Sequence, residues 1–228
     1  MKCIFIDIDD TLLDFEACTE EALREGFARF GIPGYRPETL TEFLKMNQKL
    51  WNRIEDGSLT LDELRRVRFQ IFFDSMKVKA DGIAFEAFFR SHLRESAIPV
   101  SHAREMLDYL RGRYLLATAS NGPANQQQHR LALAGFLPYF DDNFISEEVG
   151  YSKPSVGFFR TAFSKMQENC PSLTKDDCLI IGDSMTSDMK DGLDFKIHTC
   201  FFNRHGIDIE AHRFDYVIDD LLDVRRFL

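Results

Sequence analysis

The sequence predicts an α/β fold, a parallel sheet with helices on both faces, into which a separate all-helical segment is inserted. Short apolar runs alternate with amphipathic stretches of helical length, which is the pattern of strands joined by crossover helices. This alternation stops between residues 16 and 95, where helical patterns follow one another without a convincing strand. We therefore predict a core formed by residues 1–15 and 96–228 and a four-helix insert formed by residues 16–95.

The strands of the core are predicted from short apolar runs that lack helical spacing. The first run, Cys3-Ile4-Phe5-Ile6, is continuously hydrophobic, as expected for a strand that is buried on both faces. Further strands are predicted at residues 114–119, 143–145, 178–181, 199–202 and 216–218. The helices predicted between them span residues 103–110, 124–134, 156–166 and 185–193.

Four helices are predicted in the insert from apolar residues that recur at spacings of three and four. The first helix is expected to end at Gly31 and the second at Gly57, since glycine commonly terminates helices. The third begins with Thr60 and Glu63, a capping box in which each side chain accepts the other's free backbone amide. The fourth covers residues 85–93, and the apolar stripes of the four helices are expected to pack on one another.

The charge of the chain excludes several classes of partner. Lys and Arg number 28 against 37 Asp and Glu, so the net charge is 28 − 37 = −9 with His neutral. A chain this acidic lacks the broad basic surface that binds nucleic-acid polymers or anionic lipid. No apolar run approaches the roughly 20 residues that cross a bilayer, and Asp7 comes too early for a signal-peptide core. We expect a globular, cytoplasmic protein with neither a nucleic-acid polymer nor a membrane as partner.

The cysteines show no pattern of a disulfide scaffold or a zinc site. Their number is odd and no CxxC spacing occurs, which argues against both. Cys3 and Cys178 lie within apolar runs, so we predict that they are small buried hydrophobic residues.

Acidic residues directly follow the first predicted strand, where Asp7 and Asp9 are followed by Thr11. In open α/β sheets, ligands bind beyond the carboxyl ends of the strands. Residues two apart on an extended segment project to the same side, so Asp7 and Asp9 are expected to point at one place. The alternative is that Asp9 caps the next turn while Asp7 is merely solvated.

A second acidic group follows the predicted strand at residues 178–181. Gly182 is expected to let the backbone turn tightly, with Asp183 at the strand end and Asp188 five residues further on. Asp188 is alternatively a first-turn acid favoured by the helix dipole. Two strands that deliver carboxylates to one sheet edge form a natural site for Mg²⁺, which prefers oxygen ligands.

Two further fragments complete a possible phosphate site. Ser120, Asn121 and the backbone amides around Gly122 follow a predicted strand and could donate hydrogen bonds to phosphate oxygens, and Lys153 could add a positive charge. Each fragment alone is weak, because Ser-Asn-Gly is usually a turn and a single lysine is usually on the surface. Their order after successive strands favours a site for phosphoryl transfer.

These residues form four ordered motifs that resemble those of the haloacid dehalogenase-like hydrolase superfamily over essentially the whole chain. The motifs are Asp7-x-Asp9-x-Thr11, Ser120-Asn121-Gly122, Lys153-Pro154 and Gly182-Asp183-x4-Asp188. The insert resembles the α-helical cap of the first subfamily, which implies a Rossmann-like core with a four-helix cap. The segments WNRIEDGSLTLDELRRVRF (51–69) and SEEVGYSKP (146–154) resemble the bacterial pyrimidine 5′-nucleotidase branch.

The resemblance implies a role for each catalytic residue. Asp7 is the implied nucleophile, which forms an aspartyl-phosphate intermediate. Asp9 would protonate the leaving alkoxide and then take a proton from the hydrolytic water. Ser120 and the amides near Asn121 would bind the phosphoryl oxygens, and Lys153 would neutralise the phosphate charge.

The resemblance also implies Mg²⁺ as cofactor. In this family the metal is bound by the side chains at the positions of Asp7 and Asp183 and by the backbone carbonyl of Asp9. Asp188 would hold a metal-bound water or orient the catalytic lysine, and Thr11 would shape the turn.

Asp9 favours phosphate over halide chemistry, because a halide leaving group needs no proton and dehalogenases of this superfamily lack an acid at this position. We therefore expect a phosphomonoester hydrolase with a small-molecule substrate, and a nucleoside 5′-monophosphate is the leading candidate. UMP, dUMP, dTMP, modified nucleotides and non-nucleotide phosphoesters all stay open. A sugar-phosphate phosphatase or phosphomutase is the alternative within the superfamily. A non-catalytic phospho-accepting signalling module and a structural protein with a dead site are the alternatives from other classes.

Overall fold

The structure, a computed structural model, describes residues 1–209 and 213–228. The chain forms two compact units. The core unit consists of Met1–Asp14 with Ile98–Leu228, and the helical unit consists of Phe15–Ala97. The sequence-based boundaries, after residues 15 and 95, lie close to these.

The core unit is built on a parallel sheet. Its strands are β1 (Cys3–Ile6), β2 (Leu115–Ser120), β3 (Asp142–Ile145), β4 (Cys178–Gly182), β5 (His198–Phe202) and β6 (Tyr216–Ile218). Among the residues that the structure describes, these six strands are arranged in the order β3-β2-β1-β4-β5-β6, with parallel pairing throughout. The predicted α/β fold is confirmed, and each strand lies within one residue of its predicted position at either end.

Strand β1 lies at the centre of the sheet, between β2 and β4. All its residues are buried, as the uninterrupted apolar run predicts. Ile6 is in register with Thr118 of β2 and with Ile181 of β4, so the three strands end at the same edge. The segments after these strands, which carry the acidic residues and Ser120-Asn121-Gly122, are therefore brought together there.

Two of the cysteines are part of this buried sheet. Cys3 is in register with Cys178 across β1 and β4, and both are fully buried. All five cysteines are free thiols. The prediction that Cys3 and Cys178 act as small buried hydrophobic residues is confirmed.

The helical unit, which the structure describes in full, consists of four helices. They are α1 (Phe15–Arg29), α2 (Glu38–Glu55), α3 (Leu61–Ser75) and α4 (Gly82–Arg94). Helix α3 begins with the predicted capping box: Thr60 Oγ1 accepts from the Glu63 amide at 3.2 Å, and Glu63 Oε2 accepts from the Thr60 amide at 2.8 Å.

Phenylalanine rings fill the interior of the helical unit. The centroid of Phe69 on α3 lies 5.2 Å from that of Phe43 on α2 and 4.6 Å from that of Phe85 on α4. Gly26 on α1 permits a close approach, because a Cβ there would lie 2.4 Å from the Phe85 ring. The four apolar stripes pack on one another, as predicted.

The helices of the core unit follow the prediction except at residues 185–193 and at the short helix of residues 146–149, which was not predicted. They are α5 (Ala103–Leu110), α6 (Ala124–Leu133), α7 (Ser146–Val149), α8 (Val156–Asn169) and α9 (Lys190–Phe195). The prediction of one helix over residues 185–193 is wrong, because Met185–Met189 forms a π-helical turn before α9 begins. In it the Met189 amide donates to the Ser184 carbonyl, five residues back, at 3.0 Å. None of the helices in the described part of the chain is long and apolar enough to cross a membrane.

Candidate active site

The two N-terminal acids, Asp7 and Asp9, contact different positively charged side chains. Asp7 Oδ1 accepts from Lys153 at 2.7 Å, whereas Asp9 Oδ1 accepts from Arg130 at 2.5 Å. Strand β1 ends one residue before Asp7, so the alternation of an extended segment does not continue to Asp9. The two carboxylates therefore have different hydrogen-bond partners, although the charge of Asp9 still raises the pKa of Asp7.

Lys153 lies at the centre of the site. Its side chain is only 1% exposed, and its ammonium group donates to Asp7, to Asp188 and, at 2.5 Å, to the carbonyl of Ala119 at the end of β2. A buried ammonium group requires such partners, because the cost of removing its charge from water is large. The surface location that is usual for a single lysine is thus excluded for Lys153.

Asn121 holds the backbone of Lys153 rather than facing outward. Its Nδ2 donates to the Lys153 carbonyl and its Oδ1 accepts from the Lys153 amide, both at 2.8 Å. This reciprocal pair connects the segment after β2 to the lysine 32 residues later. The side chain that was expected among the phosphate donors therefore positions the lysine, which leaves the Ser120 hydroxyl and backbone amides as the donors that this segment can offer.

Two carboxyl groups come from the segment after β4. Asp183 Oδ1 accepts from Thr11 Oγ1 at 3.2 Å, which connects this segment to the turn after β1. Asp188, in the π-helical turn, is fully buried and accepts from the Ser184 amide at 3.1 Å. Gly182 was expected to provide a tight turn, but it provides space: a Cβ there would lie 2.3 Å from Asp188 Oδ2. Only glycine lets Asp188 approach the strand end so closely.

The three acids Asp7, Asp183 and Asp188 form a group that could hold a cation. One carboxylate oxygen from each lies within 4.8 Å of the others. Oxygen ligands of this charge suit Mg²⁺. The group includes Asp188, which the sequence suggested only as a supporting residue. The side chain of Asp9 is bonded to Arg130 instead.

The electrostatics of the group reflect burial and mutual repulsion. Burial raises the pKa of Asp7 to about 8, although the Lys153 charge opposes this. Burial, followed by repulsion from Asp7, raises the pKa of Asp183 well above its usual range. Burial alone would lower the pKa of Lys153, but Asp188 and Asp7 raise it above the usual lysine range. The cluster therefore carries more carboxyl groups than its single ammonium group can compensate.

Two side chains of α6 donate hydrogen bonds to the carboxylate of Asp9. Its Oδ1 accepts from Arg130 at 2.5 Å and its Oδ2 accepts from Gln127 at 2.7 Å. Sequence reasoning missed both donors, which it treated only as part of an amphipathic helix. Their spacing of three residues places them on one face of the helix, but a polar helix face is usually solvated, so the sequence alone does not single them out.

The hydroxyl of Ser120 lies beside the same glutamine. Ser120 Oγ accepts from Gln127 Nε2 at 3.0 Å and from the Gly122 amide at 3.1 Å. Gly122 is required by packing, because a Cβ there would lie 2.4 Å from Gln127 Nε2. The segment Ser120-Asn121-Gly122 is therefore shaped to fit the glutamine and the lysine rather than being a free turn.

Comparison with known proteins assigns this arrangement to a family. Residues 1–192 match the family model of the haloacid dehalogenase-like hydrolases. This chain belongs to that family. The match spans all four motifs and the helical unit between the first two of them.

Individual relatives support the assignment. HAD-hydrolase YfnB of Bacillus subtilis is 33% identical over 202 residues, which cover 89% of this chain and 84% of YfnB. Pyrimidine 5′-nucleotidase PynA of Streptococcus pneumoniae is 31% identical over 97% of this chain and 94% of its own length. The crystal structure of magnesium-bound YfnB superimposes with a TM-score of 0.88 at 31% identity, covering 100% of this chain and 98% of that one. The family relationship and these relatives identify the chain as a phosphatase.

Proposed function

We propose that this phosphatase hydrolyses phosphomonoesters through an aspartyl-phosphate on Asp7, with Mg²⁺ as cofactor and a nucleoside 5′-monophosphate as substrate. The observation that carries the proposal is a group of three carboxyl groups at the carboxyl edge of the sheet, in which the buried Asp7 and Asp188 bond Lys153 and the half-buried Asp183 lies close to both. A carboxylate attacks a phosphate only after the negative charge of the phosphate is neutralised. The cluster supplies both the nucleophile and one of the neutralising cations.

In the first step, an oxygen of Asp7 attacks phosphorus and forms the acyl-phosphate bond. The bond from phosphorus to the ester oxygen breaks, and Asp9 gives its proton to that oxygen, so the alcohol leaves as a neutral molecule. Lys153 stays bound to Asp7 and balances charge as the phosphoryl oxygens come close. Ser120 and the backbone amides after β2 donate to these oxygens.

In the second step, water attacks the phosphorus of the aspartyl-phosphate. Asp9, now ionised, takes a proton from this water as the new bond forms. The acyl-phosphate bond breaks, which releases inorganic phosphate and restores the Asp7 carboxylate. Asp9 is again protonated and ready for the next substrate.

The residues present fit a divalent cation. Asp7 and Asp183, with the backbone carbonyl of Asp9, would hold Mg²⁺, since their hard oxygen atoms suit this ion and the carboxyl group of Asp183 has no cation bonded to it among the described contacts. When bound, Mg²⁺ supplies the positive charge that neutralises the phosphoryl group. Asp188 is bonded to Lys153 and so orients the lysine.

The choice of a nucleotide substrate is supported by two relatives. PynA and the pyrimidine 5′-nucleotidase YjjG of Escherichia coli are each 31% identical to this chain, over 97% and 89% of its length. The second candidate is a sugar-phosphate substrate, because glyceraldehyde 3-phosphate phosphatase of Pyrococcus furiosus is 25% identical over 97% of the chain.

A phosphate-release screen tests this proposal. The purified chain is incubated with nucleoside 5′-monophosphates, with sugar phosphates and with p-nitrophenyl phosphate, each with and without Mg²⁺. We expect release that requires Mg²⁺ and is fastest with pyrimidine nucleotides. Strong activity on sugar phosphates with none on nucleotides would overturn the substrate and leave the mechanism intact. Full activity after removal of divalent cations with EDTA would contradict the metal requirement.

A further inference from the structure

Helix α6 carries two polar side chains that are completely buried. Gln127 and Arg130 are both 0% exposed, and their spacing of three residues puts them on the same face of the helix. Burying a guanidinium group is costly unless it is paired and hydrogen-bonded. Neither residue is needed to make the helix amphipathic, so their burial calls for a specific partner.

That partner is the carboxylate of Asp9. Arg130 Nη1 donates to Asp9 Oδ1 at 2.5 Å, and Gln127 Nε2 donates to Oδ2 at 2.7 Å. Arg130 also donates to Gln127 Oε1 at 3.1 Å, so the two donors fix each other. The Asp9 side chain itself is 32% exposed. The carboxylate is thus anchored from the protein interior while one part of it stays open to a ligand.

Gln127 connects Asp9 to the phosphate-binding segment. Its Nε2 atom also donates to Ser120 Oγ at 3.0 Å, and the missing side chain of Gly122 provides the space it occupies. One amide group therefore sets the position of the acid–base carboxylate relative to the hydroxyl that contacts the phosphoryl group.

We propose that Gln127 and Arg130 are positioning residues that hold the Asp9 carboxylate where it can exchange a proton with the leaving oxygen and with the attacking water. This inference rests on the proposed function, because it presupposes that Asp9 is the general acid and base. The charge-assisted hydrogen bond from Arg130 to one oxygen and the hydrogen bond from the Gln127 amide group to the other restrict rotation of the carboxylate. Proton transfer needs hydrogen-bond reach to the reacting oxygen, so lost orientation costs rate.

A role in packing alone would affect all substrates alike, whereas a role in positioning the acid depends on the leaving group. An alkoxide leaving group needs the proton from Asp9, and p-nitrophenolate leaves well without it. The rate of the first step is measured as the p-nitrophenol burst for p-nitrophenyl phosphate. For an alkyl ester it is measured as single-turnover alcohol release, from uridine 5′-monophosphate or from the fastest alkyl phosphomonoester of the screen.

The main variant is Gln127→Met. It keeps the length of the side chain and removes the amide group that donates to Asp9 and Ser120 and accepts from Arg130. Its matched control is Gln128→Met, the same change at the next position, where the residue is half-buried and its side chain donates to Glu148. We expect Gln127→Met to lower the first-step rate on the alkyl ester about 10–100-fold, as supporting hydrogen bonds around reactive groups typically do. The burst with p-nitrophenyl phosphate should fall less than about threefold, KM should change little, and the control should match wild type.

Arg130 is tested by the pair Arg130→Lys and Arg130→Met. Arg130 Nη1 donates to both Asp9 and Gln127. Lysine keeps the charge, but its ammonium group lies on a shorter side chain and has a different geometry, so it should recover only part of the alkyl-ester rate that methionine loses. Circular dichroism and the melting temperature establish whether each variant folds. If Arg130→Met does not fold, the result with Gln127→Met decides the question alone.

Two outcomes overturn the positioning role and leave the proposed function standing. One is an equal loss on both substrates with Gln127→Met, and the other is no loss on either, in each case while Asp9→Asn shows the dependence on leaving group. If Asp9→Asn itself shows no such dependence, or Asp7→Asn stays active, the proposed function fails instead. The Asp7 and Asp9 variants therefore separate the two failures.

Discussion

Each unit of the chain contains a buried ionic cluster, and the two clusters differ in charge balance. In the helical unit, Arg68 donates to both carboxylate oxygens of Glu86, at 2.9 and 2.7 Å, and to Asn47 Oδ1 at 3.2 Å. One positive charge meets one negative charge, and all three side chains are buried. In the core unit, Asp7 and Asp188 both bond the ammonium group of Lys153, and Asp183 adds a third carboxyl group to the cluster.

The comparison shows which buried charges mark a functional site. The Arg68 guanidinium also lies over the Phe89 ring, 4.9 Å from its centroid, so the pair is well packed as well as neutral. The charges of this cluster balance each other, so it needs no ligand. The cluster of Asp7, Asp183 and Asp188 has more carboxyl groups than its ammonium group can balance, which costs stability and would favour binding of a cation. Functional sites commonly retain such unfavourable charge.

The largest expected effect is a loss of activity when the core cluster is changed. Replacing Asp7 with Asn should lower kcat roughly 10⁴-fold or more, because the nucleophile is lost. The fold should be kept, since Asn has the same shape and removes one of three crowded carboxyl groups. Steady-state phosphate release measures the change, and circular dichroism confirms folding.

Asp177→Asn is the matched control for Asp7→Asn. Asp177 directly precedes β4 at the amino end of the sheet, where it bonds Lys2 and Thr174. This variant should keep kcat close to that of wild type. Phosphate release by Asp7→Asn at the wild-type rate would remove Asp7 as the nucleophile.

The next effect concerns the balanced cluster and appears in stability. Arg68→Met should lower the free energy of unfolding by about 3–5 kcal/mol, because Glu86 is left buried without its counter-charge. The double variant Arg68→Met with Glu86→Leu should recover most of that loss, since no charge is left buried. Urea unfolding measures both. If Arg68→Met lowered the free energy of unfolding no more than the double variant does, the two charges would not balance each other as described.

A smaller effect concerns the cation that we propose for the core cluster. Adding Mg²⁺ at 100 times its dissociation constant should stabilise the wild type by about 2.7 kcal/mol, provided that only the folded chain binds the ion. The melting temperature, followed at constant ionic strength with Na⁺ as reference, reports this gain. The same shift with Na⁺ alone would argue against a specific site.

The smallest effect has opposite signs in the two clusters. Asp183→Asn should raise the stability of the metal-free protein by about 0.5–2 kcal/mol, because it relieves repulsion among carboxyl groups, while it abolishes the response to Mg²⁺. Glu86→Gln should instead destabilise, since it leaves Arg68 without its counter-charge. Equilibrium unfolding in EDTA compares the two variants. Destabilisation by both would contradict the difference in charge balance.

Much of the fold was predictable because burial acts locally on the sequence. A strand buried on both faces must be apolar throughout, so Cys3–Ile6 was predicted to the residue. The short apolar run of the partly exposed edge strand, Tyr216–Ile218, was also matched to the residue. The capping box of Thr60 and Glu63 was predictable because its two bonds join residues only three apart. The π-helical turn at Met185–Met189 was missed, because one extra residue in a turn leaves little trace in apolar spacing.

The candidate site was predictable where acids follow strands and hidden where distant residues meet. Asp7, Asp183 and Lys153 follow from the order of the motifs along the chain. Gln127 and Arg130 do not, because a row of polar side chains on a helix suggests a solvated face. Their burial depends on Asp9, which is 118 and 121 residues away in the sequence.

The most direct test of the central claim is to trap the covalent intermediate. Wild-type protein is mixed with substrate and Mg²⁺, quenched in acid during turnover, digested and analysed by mass spectrometry. We predict one added phosphoryl group on the peptide that contains Asp7, and none on that peptide in Asp7→Asn. Rapid turnover with no phosphorylated peptide at any quench time, or a phosphoryl group on a different residue, would contradict the account.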